Sequence, residues 1–214
     1  MDRPVAPHFG ALLGAIVVLY ILIIAVGQNT AAVPLRVLVL GTALVLAARV
    51  AGPRRWIRAA LAAALGAVLL SVVAVVAGGT RLATGLTSAA TVLLVCATIA
   101  ATIHTVAARK RVDIQAVAGA LATYLLLALL FSSLHQMIGA IHGNPYLEGV
   151  DQVDDASAFL YFSVVTLTTV GYGDIVPASN PARAVVVAEA LIGQLYLVSV
   201  VAAVVARWTP RTRA

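Results

Sequence analysis

Long apolar runs alternate with short polar breaks along most of the chain, and the breaks mark out the elements. The runs cover residues 9–27, 35–51, 59–77, 82–108, 114–141 and 182–206. Each approaches the roughly 20 residues that a helix needs to cross a bilayer. Between them lie a basic link at 52–58 with Gly52 and Pro53, the pair Gly78-Gly79, and the triplet Arg109-Lys110-Arg111. The pattern predicts six membrane-spanning helices. Small residues at Ala25-Val26-Gly27 have the spacing of a signal cleavage site, but further spans follow, so the first run is read as a retained span.

A shorter apolar stretch, 156–167, has a different meaning. It holds 12 residues, too few to cross as a helix, and a run of that length predicts a re-entrant segment. It follows the polar stretch 142–155, which carries Glu148, Asp151, Asp154 and Asp155. Asp155 or Ser157 is suited to cap its N-terminus. Non-helical backbone at membrane depth persists only where protein buries it or where it lines a watery cavity. Function is therefore sought in this stretch between the fifth and sixth runs.

Composition agrees with a membrane protein. Of 214 residues 62% are hydrophobic and 10% charged, where soluble domains carry about 25% charged residues. A soluble enzyme and a disordered tail are both excluded. The net charge of +6 does not indicate nucleic acid, because the basic residues cluster between apolar runs as topology signals do. With the N-terminus inside, the cytoplasmic set is Arg3, Arg49, Arg54, Arg55, Arg58, Arg109, Lys110, Arg111, Arg207, Arg211 and Arg213. The outer set is Arg36, Arg81 and Arg183, so eleven stand against three. Both termini are expected in the cytoplasm of a multi-pass plasma-membrane protein. Cys96 is the single cysteine and allows no intrachain disulfide.

The short apolar stretch leads into Thr166-Leu167-Thr168-Thr169-Val170-Gly171-Tyr172-Gly173-Asp174. Residues 169–173 read TVGYG, which resembles the selectivity filter of tetrameric potassium channels, and TVGYG is the motif by which that filter is generally described. The likeness extends upstream through 160–165 and downstream through 174–177, and with the flanking runs it covers about 114–207. It implies an all-α membrane fold with six transmembrane helices, a re-entrant pore helix and filter between helices five and six, and a homotetramer in the lipid bilayer. Residues 1–111 would be a four-helix domain and 112–214 the pore domain. The function implied is passive, potassium-selective conduction. Carbonyls of Thr169, Val170, Gly171 and Tyr172 would bind potassium, with the Thr169 hydroxyl as innermost ring and Gly173 completing the motif. Asp174, Tyr161, Phe162 and Thr168 would support the filter. No enzyme activity, catalytic residue or cofactor is implied beyond the ions themselves.

The backbone chemistry explains the residue types. A strand whose carbonyls all face one axis needs φ > 0 at alternate residues, which Gly171 and Gly173 allow without a Cβ penalty. The chain also departs from its relatives. Val165 stands where some bacterial relatives have a glutamate that bonds the filter aspartate. Asp174 is then left either to solvent or to the hydroxyl of Tyr161, which stands where relatives often have tryptophan. In the last run, Gly193 is read as a hinge or as a close-packing site. Glu189, the only acid inside a span, either adds negative potential behind the filter or pairs with Arg183 of a neighbouring copy. Asn180-Pro181 reads as the cap and first turn of that helix.

The run 82–108 carries no Lys or Arg, so the first four helices are not expected to sense voltage. Gly10 and Gly14 have the spacing of a helix-packing pair. His135 and His142 are read as solvated near the outer mouth, with pH sensing as the alternative. The acidic stretch is expected to concentrate cations. Opening by a soluble ligand would need a separate gating partner. The rival readings are a non-selective cation channel, a membrane subunit of a potassium-uptake system with a soluble partner, and a modulatory subunit.

Overall fold

The computed structural model describes residues 9–26, 32–51, 54–76, 81–107, 114–142 and 145–206. Every apolar run folds as a helix. In chain order the elements are α1 (Phe9–Ala25), α2 (Val33–Ala51), α3 (Arg54–Val76), α4 (Arg81–Ala107), α5 (Ile114–His142), β1 (Leu147–Glu148), α6 (Ala156–Leu167), β2 (Val176–Pro177) and α7 (Asn180–Ala206). The basic link was expected to interrupt the helices as far as Arg58. Instead α3 begins at Arg54, because arginine is a good helix former and the breakers are confined to Gly52-Pro53. Arg3, the 109–111 triplet and the cations of 207–213, on which the orientation rests, lie outside the described residues.

Among the described residues four helical segments are long and apolar enough to cross a membrane: Ile57–Val76, Arg81–Val106, Ile114–His142 and Asn180–Val200. At 17 residues, α1 reaches about 25 Å, short of the roughly 30 Å hydrocarbon core, and α2 is not among the four. The architecture is thus an all-α membrane fold with a two-residue antiparallel ladder. That ladder pairs Leu147 with Pro177 and Glu148 with Val176.

One hydrophobic cluster draws on helices from both halves of the chain. Phe9, Leu12, Ile16, Leu19 and Ile23 are buried along one face of α1, at the three- and four-residue spacing of an inward stripe. They join Leu40 and Leu44 of α2, Val95 of α4, Leu126 and Leu129 of α5, and Leu160 of α6 in one cluster. The cluster thus packs the helices before residue 111 against those of the segment after it. On the outer faces Ile21, Ile24, Leu65, Leu69 and Val73 remain exposed, as a helix apolar all round requires when its other solvent is lipid. Hydroxyls on α4 turn inward: Thr98 and Thr102 are buried and each donates to the carbonyl four residues earlier at 2.7 Å. Ser88 donates to Gln136 Oε1 at 3.0 Å, and Gln136 Nε2 donates to the Val153 carbonyl at 3.1 Å. This relay fastens α4 and α5 to the loop that launches α6.

Gly10 and Gly14 approach nothing, since a Cβ at either would meet no atom within 4 Å. The close contacts lie elsewhere. A Cβ at Gly41 would stand 2.7 Å from Ala64 Cβ, and one at Gly119 would stand 2.7 Å from Val106 and 3.2 Å from Phe9. Gly119→Val is therefore expected to destabilise the protein by about 1–3 kcal/mol through overpacking. Gly66→Ala, which meets open space, should be neutral or stabilising by up to about 1 kcal/mol. Thermal midpoints of the detergent-solubilised protein check both, and equal midpoints for the two variants would contradict the packing.

Candidate functional site

The site is built around the two ends of α6. At its N-terminus Asp155 is the cap: one carboxylate oxygen accepts from the backbone N–H of Ser157 and of Ala158, both at 3.1 Å, and from the Ser157 hydroxyl at 2.6 Å. Ser157 thus serves the cap and is not the cap itself. Asp155 is thus engaged at the cap, whereas Glu148 and Asp151 are exposed.

At the C-terminus the last four carbonyls of a helix need partners from outside its own ladder. Here all four have them. Val164 O accepts from Thr168 N at 3.0 Å and from Thr168 Oγ1 at 2.7 Å. Val165 O accepts from Val170 N at 3.0 Å and Gly171 N at 3.4 Å, and Thr166 O accepts from Thr169 N at 3.0 Å. Leu167 O accepts from the Tyr124 hydroxyl of α5 at 3.0 Å. With Thr168 as C-cap, the bonds from Thr169 and Val170 form a Schellman closure. Its C′ residue must be left-handed, and Thr169 has φ 60°. A β-branched residue there costs about 1–3 kcal/mol.

Beyond this turn the positive φ recurs at every second residue: Thr169 at 60°, Gly171 at 56° and Gly173 at 82°. The glycine positions agree with the sequence reading; Thr169 was not foreseen, because threonine is not a residue that advertises φ > 0. Among the described residues no hydrogen bond reaches a carbonyl of 169–173. Residues 168–174 are all exposed on the single chain, including Val170 and Tyr172, at 52% and 71%.

The outer end of this segment is braced twice. The Tyr161 hydroxyl donates to Asp174 Oδ2 at 2.7 Å, and the Tyr161 and Tyr172 rings stack at 6.4 Å and 5°. Asp174 thus has the Tyr161 hydroxyl as a partner while it is also exposed on the single chain. From the other side Gly149, at φ 87°, lies so close that a Cβ there would run into the Asp174 carbonyl oxygen. Phe162 is buried in a small cluster with Tyr146, Leu147, Phe159 and Ala182.

The α7 helix packs on the back of α6. A Cβ at Gly193 would come within 2.6 Å of Leu167 Cδ1 and 3.1 Å of the Leu167 carbonyl oxygen, which favours close packing over a hinge. The cap of α7 is Ser179 rather than Asn180: its hydroxyl accepts from Ala182 N at 3.3 Å and its carbonyl from Arg183 N at 3.0 Å. That places Pro181 in the first turn, where its missing N–H costs nothing.

Glu189 has a partner within its own chain. Its Oε2 lies 3.1 Å from His135 Nε2, and both side chains are fully buried. Arg183 is exposed and is not needed to explain the burial of Glu189. The expectation of a solvated His135 is likewise overturned. Its Nδ1 lies 2.9 Å from the Tyr146 hydroxyl, and burial followed by the Glu189 carboxyl raises the Tyr146 phenol above its ordinary range, so that hydroxyl keeps its proton. His142, by contrast, is exposed.

Residues 119–209 match a family model described as an ion channel. The match takes in most of α5, all of α6 and α7, and the segment 168–175 between them. No curated protein and no solved structure matches the chain. The ion-channel segment therefore contains every residue singled out above as candidate chemistry, and the apolar helices make the chain a membrane protein.

Sequence reasoning missed Tyr124, Tyr146, Gly149 and Ser179. An aromatic at 146 within an acidic loop, and a serine immediately before Asn-Pro, were the available signals.

Two outcomes test this geometry. Asp155→Ala should cost about 0.5–2 kcal/mol through loss of the cap, with Asp155→Asn recovering most of it, as read by thermal midpoint. Gly193→Ala should destabilise the protein by about 1–3 kcal/mol. An unchanged midpoint for Gly193→Ala would favour the hinge.

Proposed function

We propose that four copies of this chain surround one axis and conduct potassium selectively and passively through residues 169–173. The observation that carries the reading is the alternation of φ sign at Thr169, Gly171 and Gly173 with the intervening carbonyls free of hydrogen bonds among the described residues. Carbonyl oxygens with no protein donor can take the place of an ion's hydration shell. In this reading the carbonyls of Thr169, Val170, Gly171 and Tyr172 and the Thr169 hydroxyl are the ion ligands, and α6 is the pore helix. Its C-terminal end carries the negative pole of the helix dipole and favours a cation there. Asp174, Tyr161, Phe162 and Thr168 act as filter support through the bonds and packing described above.

The tetramer is supported by what one chain leaves uncovered. Val170, Tyr172 and, on α7, Val187, Leu191, Leu195 and Val198 are exposed apolar side chains, and one copy supplies a single carbonyl strand where an ion needs several around it. With the bilayer thinned around α1 and α2, six helices cross the plasma membrane and both termini lie in the cytoplasm. The first four do not sense voltage, and what opens the pore is a separate matter, with a gating partner as one candidate.

Purified protein in liposomes should support potassium flux that sodium cannot replace, and Gly171→Asp should abolish it. Equal flux of the two ions would favour a non-selective cation channel. Absence of flux until a soluble partner is added would favour the uptake-subunit reading. Crosslinking of the purified protein should stop at four copies, and a ladder ending at two would refute the tetramer.

A further inference from the structure

Behind α6 lies a buried polar chain that conduction through carbonyls does not itself require. It runs from Tyr146, just before β1, through His135 of α5, to Glu189 of α7, with contacts of 2.9 and 3.1 Å. The imidazole is also held edge-on by Phe162 of α6, with ring centroids 5.3 Å apart at 73°. The backbone of Tyr146 continues the connection, since its carbonyl accepts from Ala178 N at 3.2 Å and from the Ser179 hydroxyl at 3.4 Å. These are the residues between β2 and the start of α7. One ring therefore ties together the outer helix, the short helix, the inner helix and the loop that braces Asp174. A polar chain so deep in an apolar fold is costly unless its members pair with one another. Ionisable side chains inside membrane helices usually mark function. Ser163 of α6 lies beside the Glu189 carboxyl, so the acid also faces the short helix.

We propose that Glu189 is a positioning residue for conduction: through His135 and Tyr146 it latches the inner helix to the outer mouth, so that the 168–175 segment holds its ion-selective shape. This rests on the channel reading above. The latch acts at a distance, for neither His135 nor Glu189 belongs to the segment whose carbonyls would meet the ion. Removing either end leaves the ring with one unpaired nitrogen, and a ring held at one end only no longer fixes α7 relative to the mouth. The consequence is a loss of potassium-over-sodium discrimination, while assembly is retained.

The test uses the full chain in liposomes with potassium and sodium as the probes. Tyr146→Phe removes one hydroxyl, Glu189→Leu removes the other end, and Glu189→Gln keeps the shape and a hydrogen-bonding atom toward His135. Tyr146→Phe and Glu189→Leu should each lower the potassium-to-sodium flux ratio about tenfold, as loss of a buried polar partner would. Glu189→Gln should stay within about threefold of the parent. The double variant Tyr146→Phe/Glu189→Leu should be no worse than either single change, because the two act on one chain. Merely structural damage would instead add across the two sites and lower the thermal midpoint in proportion. Parent-like selectivity in Tyr146→Phe overturns the latch even if Glu189→Leu does not assemble, and additive losses overturn it equally. A parent protein without selective potassium flux overturns the channel reading and the latch together, whereas a selective parent with unaffected variants overturns the latch alone.

Discussion

A helix that stops inside a membrane protein must dispose of its last carbonyls, and the rest of this structure is arranged around how α6 does so. The chain turns left-handed at Thr169 and folds its next three N–H groups back onto Val165 and Thr166. Side-chain hydroxyls of Thr168 and Tyr124 take the remaining load at Val164 and Leu167. With those donors spent, the strand that follows leaves the turn with its own carbonyls free. Non-helical backbone of this kind is tolerated at membrane depth only where something else meets its polar groups. On the channel reading, that something is the permeating ion.

The surrounding helices serve this short stretch. From α5, Tyr124 reaches the end of α6, and its ring stacks on Tyr196 of α7 at 6.0 Å. Tyr196 in turn donates to Ala120 O at 2.7 Å, so α5 and α7 are joined beside the turn. Gly193 lets α7 approach Leu167 more closely than any side chain would allow. At the other end the β1–β2 ladder and Gly149 press the mouth loop against Asp174. The segment is thus held at both ends by side chains and touched little in the middle. That is the arrangement expected of a backbone whose chemistry resides in its own carbonyls.

Much of this was legible in the sequence because it depends on local pattern. The bounds 156–167 coincide with α6, since a 12-residue apolar run between an acidic cap and a glycine motif has few other ways to fold. Gly171 and Gly173 declared their dihedrals by lacking a Cβ, and the Tyr161 hydroxyl stood out as a donor for Asp174. What stayed hidden depends on partners far away in the chain. His135 looks like a solvated helix-end histidine until α7 brings Glu189 to it from 54 positions downstream. Gly10 and Gly14 have packing spacing but face open space, while Gly119, with no motif around it, meets Phe9 and Val106. The left-handed Thr169 follows from carbonyl bookkeeping at the helix end, which no propensity scale for threonine contains.

Thr169 also marks a conflict between stability and use. Glycine at the C′ position of a Schellman closure would relieve a left-handed β-branched residue of about 1 kcal/mol or more. The threonine hydroxyl makes no hydrogen bond among the described residues that would offset this cost. Selection in the laboratory for thermal robustness alone would therefore drift toward glycine at 169, and the hardier protein would lack the hydroxyl that the channel reading assigns to the ion. Heat tolerance is a poor proxy for a working molecule at this position.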